Sequence, residues 1–247
     1  MKDNFSSNSD QYARYRPTYP PEFFDFLNSL LPAKLHAWDC GTGNGQVAHE
    51  LAKTFNRVFA TDISRSQIEN ALQADNIEYS IQPAEQTNFE NRFFDLIVVA
   101  QAIHWFEFEK FYSEVRRTAR KHALICIVGY GLIKISEQID PIMANFYENV
   151  LGNYWDVERK YIDEAYQTIP FPFSEIQTPS FVNAQEWTQE HLIGFLNTWS
   201  AVKHFIRREG YNPVDNVRAE IAEFWDNEAI KTVHFPIIRR IGKVIEL

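Results

Sequence analysis

"LHAWDCGTGNGQVAHELAKTF", residues 35–55, is the stretch whose reading decides the fold. Its first six residues form a short apolar run that stops at a glycine, which reads as a buried strand. Its last eleven, "GQVAHELAKTF", put Val47, Leu51 and Phe55 on one face of a helix. Between the two, glycines stand at alternate positions, Gly41, Gly43 and Gly45. A strand that ends in a glycine loop and feeds a helix is the general plan of a nucleotide site. In such sheets the ligand lies outside the carboxyl ends of the strands. Glycine reaches positive φ and lets the backbone come close to a ligand.

Reading outward, the pattern repeats. "RVFATD" is a second strand and "SRSQIENALQAD" a second helix. That helix opens with Ser64 as N-cap and has Gln67 at the capping-box position. "IEYSIQ" is a third strand. "FFDLIVVAQAI" is a continuous apolar run, the mark of a central parallel strand covered on both faces. "EKFYSEVRRTAR" is a helix and "HALICIVGYG" a fifth strand. Strand and helix alternate across residues 35–131, which demands a parallel sheet with right-handed crossovers. Before it, "EFFDFLNSLL" follows Pro20 and Pro21 at helical spacing and stops at Pro32. After it the chain turns mainly helical and carries Trp155, Trp187, Trp199 and Trp225. "SEIQTPSFV" and "IKTVHFPIIRRIGKV" read as two late strands, paired like a hairpin but joined through helices.

The expected fold is therefore α/β, a Rossmann-like, seven-stranded, mostly parallel sheet with helices on both faces and a helical cap insertion. The expected organisation is a single domain over 1–247. Residues 1–34 would cover the ligand, 35–131 form the core, 132–230 a mainly helical cap with strand 6, and 231–247 the last strand.

Bulk properties narrow the partners. A formal net charge of −9 repels phosphate backbones, so no nucleic acid is expected. No apolar run approaches the ~20 residues needed to span a bilayer, so no membrane partner is expected. The N-terminal residues lack the apolar core of a secretory signal. Cys40 and Cys126 lie in apolar strand-like runs and read as buried small hydrophobes, not a disulfide. A reduced, cytoplasmic location and a monomer or homodimer are the simplest expectations.

The loop also speaks to ligand chemistry. Nicotinamide sites use G-x-G-x-x-G, but here Gln46 stands where the third fingerprint glycine would fall. Asp39 precedes the loop, where a carboxylate would repel a pyrophosphate and attract an ammonium. S-adenosylmethionine carries an ammonium and a sulfonium and no phosphate. Asp62, at the end of the second strand, is placed to accept hydrogen bonds from ribose hydroxyls, or else to cap the following helix.

"DCGTGNGQ", "ATDIS" and "AEQTNFENRFFDLIVVAQAIHWF" together resemble a class I S-adenosylmethionine-dependent methyltransferase. More narrowly, "YRPTYP", "HWF" and "LNTWSAVKHF" resemble the small-molecule, methyltransferase type 11, trans-aconitate methyltransferase-like group. The resemblance covers nearly the whole chain. It implies that Asp39, Gly41 and Gly43 hold the methionine portion of the cofactor S-adenosyl-L-methionine, and that Asp62 holds ribose. Ile63, Ala84 and Glu85 would flank adenine, with a solvated surface acid as the alternative for Glu85. Gln101 would lie near the ammonium. Arg16, if not a surface ion pair, would meet the methionine carboxylate, with Tyr12, Tyr15 and Tyr19 excluding water.

Methyl transfer is an in-line displacement, so alignment and exclusion of water matter most. A protonated acceptor also needs a base; a carboxylate needs none. His104 is the candidate base, since an ordinary imidazole titrates in the useful range, or else it only shapes the pocket. Trp105, Tyr130, Trp155 and Trp199 are the candidate acceptor-binding residues, with His204 beside them. Arg207 and Arg208 read as a solvated helix face, with binding of an anionic acceptor as the alternative. "AQAIHWF" replaces the Asn/Asp-Pro-Pro-aromatic signature of amide methylation, and no metal-ligand spacing occurs. The expected activity is methyl transfer to a small-molecule acceptor, at oxygen, with a carboxylate as candidate. A non-catalytic S-adenosylmethionine binder and a carbon- or nitrogen-methylating enzyme remain alternatives, as does a nicotinamide oxidoreductase, against which Gln46 and Asp39 speak.

Overall fold

The computed structural model describes residues 14–244. Tyr12 and the last three residues of the expected C-terminal strand lie outside that range. The first helix, α1 (Pro21–Ser29), opens on proline, whose fixed φ and missing N–H suit a helix start. Then follow β1 (His36–Cys40), α2 (Gln46–Ala52), β2 (Arg57–Asp62), α3 (Arg65–Glu69), β3 (Ile77–Ile81), β4 (Phe94–Ala100), α4 (Phe108–Thr118) and β5 (Ala119–Tyr130). These five strands pair in parallel in the order β3-β2-β1-β4-β5. All five therefore deliver their carboxyl ends to one edge of the sheet.

The continuous apolar run of β4 has the reason the sequence suggested. Leu96 and Val98 enter one core, with Leu51, Phe195 and Trp225. Ile97 and Val99 enter the other, with Trp38, Phe94 and Phe111. Both faces are dry, so both sets of alternate side chains are apolar. Trp38 is fully buried and still satisfies its indole N–H, which donates to Thr61 Oγ1 at 2.8 Å.

The chain beyond residue 131 builds the cap: α5 (Asp140–Asn145), a π-helical turn at Phe146–Val150, α6 (Lys160–Asp163), then α7 (Gln189–Asn197), α8 (Ser200–Glu209) and α9 (Val214–Ile221). β8 (Lys231–Lys243) returns antiparallel to β5. β6 (Ser174–Glu175) pairs with β8 and closes a seven-stranded path, β3-β2-β1-β4-β5-β8-β6. β7 (Val182–Trp187) pairs antiparallel with the first half of β8, and α7 to α9 connect the two. None of the helices is long and apolar enough to cross a membrane among the described residues. Both cysteines are buried and free.

Two elements differ from expectation. "SEIQTPSFV" yields two strands, not one, because Pro179 cannot donate to a ladder and Arg239 takes the carbonyls of Thr178 and Pro179. The helix after β2 keeps its N-cap, Ser64 Oγ accepting from the Gln67 amide at 3.4 Å, but ends at Glu69. The Leu72 amide leaves the helical pattern to donate to the Asn44 carbonyl at 3.0 Å, tying this segment to the glycine loop.

Candidate active site

The site lies along the carboxyl edge of the parallel strands. Gly41, Gly43 and Gly45 all sit at positive φ, 72°, 55° and 80°. A Cβ on Gly41 would stand 2.6 Å from Ala102 Cβ, so only glycine lets the loop pass this close to the end of β4. The loop is drawn onto β2 by two amides, Gly41 and Thr42, which donate to the Thr61 carbonyl at 2.8 and 2.9 Å.

Asp39 is wholly buried beneath the loop. Its Oδ2 accepts from the Thr42 hydroxyl at 2.5 Å, while Oδ1 is buried without a hydrogen bond of good geometry. Burial pushes its carboxyl up to about 7, against the Thr42 hydroxyl and the Ala48 amide, which favour the charged form. Asp62 takes two backbone amides, Gly43 on Oδ2 at 2.9 Å and Ser64 on Oδ1 at 2.8 Å. It thus locks the loop to the start of α3, while Ser64 serves as the cap. Ile63 beside it is half-exposed, and Ala84 is buried. Glu85 Oε1 accepts the Glu107 amide at 3.1 Å, where α4 begins.

Above the loop is an open cavity lined by Gly41, Gly43, Gln46, Tyr19, Tyr130 and Arg16, among others. Arg16 donates to Tyr130 Oη at 2.9 Å and packs over the Phe195 ring. The segment before α1 is held in place by Asn183, whose amide donates to the Thr18 carbonyl, and by Tyr15, whose ring lies against Gly194. A Cβ at residue 194 would collide with that ring at 2.4 Å.

A second cavity shares Arg16 and Gln101 with the first. Gln101 stands at the junction with φ 53°; its amide donates to the Val128 carbonyl and its side chain to the Tyr130 carbonyl. His104, Trp105, Trp155 and Trp199 line this cavity, as the sequence suggested, but Tyr130 lines the glycine-loop cavity instead. Its hydroxyl is turned there by Arg16. His204 is not among the lining residues; its Nδ1 meets the Tyr154 carbonyl at 2.9 Å. Arg207 and Arg208 are exposed.

His104 is buried, with Nδ1 lacking a partner. Burial, reinforced by the Arg159 charge, lowers its pKa to about 3. The ring is therefore neutral at physiological pH, and as a base it is far weaker than an ordinary imidazole.

Comparisons with known proteins decide the family. A family model described as "Methyltransferase domain" matches residues 38–127. A Dictyostelium discoideum protein whose name assigns it as a methyltransferase is 33% identical over 250 residues, spanning 98% of this chain and 95% of its own length. A solved chain from Anaeromyxobacter dehalogenans, assigned by name as a type II methyltransferase, is 35% identical with a TM-score of 0.88, over 94% of this chain and 100% of that one. The chain belongs to the class I S-adenosylmethionine-dependent methyltransferases. A Bacillus halodurans structure, 15% identical with a TM-score of 0.52 over 92% of this chain and 100% of its own, shares the fold.

The methyl donor of this methyltransferase is S-adenosylmethionine. The loop fits it: a buried carboxylate with an unsatisfied oxygen and a raised pKa awaits a cation. Thr42, Asn44 and Gln46, which also line the loop cavity, were legible as loop members. Arg159, Asp156, Ile162 and Ser200 line the second cavity with no local signal in the sequence.

Arg159 is the most informative of these. Its Nε donates to Tyr147 Oη at 2.7 Å and lies 3.7 Å from Asp163 Oδ1. Its guanidinium packs over the Trp155 ring at 4.7 Å. Its two terminal nitrogens make no hydrogen bond among the described residues.

Proposed function

We propose that this methyltransferase esterifies a small carboxylate acceptor. The observation that carries the reading is Arg159: a guanidinium with unengaged terminal nitrogens, on the wall of a cavity that meets the donor cavity at Arg16 and Gln101. A planar fork of N–H donors suits a carboxylate. Bound S-adenosylmethionine supplies an activated methyl group; the acceptor oxygen forms the new C–O bond as the C–S pair stays on sulfur, and no proton moves.

On this reading Asp39, Gly41 and Gly43 grip the methionine portion, Gln101 sits by its ammonium and Arg16 pairs with its carboxylate. Asp62 adds ribose hydroxyls to its two amides, since a carboxylate accepts about four hydrogen bonds. Ile63, Ala84 and Glu85 flank adenine. The cap within 132–230 contributes Trp155, Arg159 and Trp199, and the segment before α1 closes the donor cavity. His104 acts as a neutral hydrogen-bonding wall rather than a base. A phenol or ammonium acceptor would need a base, and a group held near pKa 3 serves poorly.

Incubating metabolite extracts with the protein and isotopically labelled donor, then scanning by mass spectrometry, tests the proposal. A labelled product that releases methanol in mild alkali is expected. An alkali-stable labelled product would sink the ester reading and return the carbon- and nitrogen-methylating alternatives.

A further inference from the structure

The acceptor cavity carries one more piece of chemistry, which rests on the carboxylate reading above. Two cations line it, Arg16 and Arg159. Arg16 is shared with the donor cavity and already donates to Tyr130 and to the Thr198 carbonyl. Among the described residues, Arg159 is then the one guanidinium in this wall whose terminal nitrogens make no hydrogen bond. Asp156 adds a negative charge to the same wall. The remaining wall is three indoles and Ile162, with Gln101, His104 and Ser200 as its neutral polar groups. Trp155 and Trp199 lie with ring centroids 5.4 Å apart, and Trp105 packs on His104 at 4.8 Å.

We infer that the acceptor is a monocarboxylate with a flat apolar body, and that di- and tricarboxylates are excluded. Its carboxylate meets Arg159, and its body lies against Trp105, Trp155 and Trp199. With Arg16 engaged by Tyr130 and the Thr198 carbonyl, a second carboxylate would meet indole faces, the neutral Gln101, His104 and Ser200, or Asp156, and an ion stripped of water without a counter-ion is strongly disfavoured. Aromatic walls reward planar bodies through face and edge contacts. The chain's net charge of −9 adds a long-range bias against polyanions.

Calorimetry on the full chain saturated with S-adenosylhomocysteine tests this with four probes: cinnamate, cinnamamide, succinate and citrate. Cinnamate should bind at least about tenfold more tightly than succinate or citrate, and about tenfold more tightly than cinnamamide, because only the carboxylate makes charge-assisted bonds to the fork. Arg159→Gln should bring cinnamate down to the cinnamamide level while leaving S-adenosylhomocysteine affinity unchanged. Arg159→Lys, which keeps the charge but loses the fork, should fall between. Succinate or citrate binding as well as cinnamate overturns the monocarboxylate inference and leaves the carboxylate reading standing. Cinnamamide binding as well as cinnamate overturns both. Failure of all four probes to bind overturns the inference, as does an Arg159→Gln chain that binds cinnamate normally.

Discussion

The two cavities meet at Arg16 and Gln101, yet they are built in opposite ways. The donor cavity is largely a backbone object: three left-handed glycines, amides bonded to Thr61, and two carboxylates within reach of one loop. Its parts are close in sequence, so one short segment specifies them together. The acceptor cavity is a side-chain object. Its walls come from the end of β4, from the turns around residues 155–162 and from the start of α8. Backbone geometry binds what every methyltransferase of this class shares. On the proposed reading, side chains gathered from distant segments bind what distinguishes one acceptor from another, and they can change without disturbing the loop.

That contrast can be broken or sharpened. The largest effect belongs to Asp62→Ala, which removes the tie between Gly43 and Ser64 along with the proposed ribose acceptor. Donor affinity should fall by about a hundredfold or more, since hydrogen bonds to a charged group contribute roughly 1.5–3 kcal/mol each. Normal binding in calorimetry would refute both roles. Gly41→Ala should cost about 2 kcal/mol in urea unfolding, from a non-glycine residue at positive φ and a methyl forced against Ala102. If it unfolds like the parent, the loop is not a glycine-dependent object.

Asp39 gives a pH signature. In the donor-free chain it gains a proton as pH falls through about 7, and a neutral carboxyl does not attract an ammonium. Donor affinity should therefore drop below about pH 7, by up to about tenfold per unit. The donor-free fold should gain stability from this one group over the same fall, down to the ordinary carboxylate range near 3.8, because the folded state binds a proton that the unfolded chain does not. Asp39→Asn should flatten both dependences, as titrations at several pH values would reveal.

Around the second cavity, Tyr147→Phe removes the hydroxyl that accepts the Arg159 Nε hydrogen bond. Acceptor KM should rise about fivefold while donor affinity stays put, a split that general loss of structure would not produce. The smallest effect is expected of His104→Gln, with donor affinity unchanged within about twofold. At saturating donor, kcat of the parent should show no inflection near the ordinary imidazole value of 6.5, since burial holds this ring near 3. An inflection there that vanishes in the variant would restore His104 as a base.

Much of the fold was legible because its signals are local. The five parallel strands were marked by apolar runs, and the N-cap Ser64 by its own residue type. The misread pieces were decided by non-local competition. Asn44 claims the Leu72 amide and shortens α3, and Arg239 claims the carbonyls flanking Pro179 and divides a strand. β5 begins at Ala119, three residues ahead of the apolar run, and passes through His122 at φ 69°, a backbone excursion that residue types do not announce.

The sequence by itself determined the parallel sheet, the glycine loop and the two carboxylates beside it, because each depends on residues adjacent in the chain. Only the tertiary structure decided that Tyr130 turns to the glycine-loop cavity, that His104 is too deeply buried to charge, and that Arg159 lines the second cavity. Those outcomes depend on what segments far apart in the chain bring to one place: water excluded from one ring, a cation set beside another, and a hydroxyl offered to Arg16.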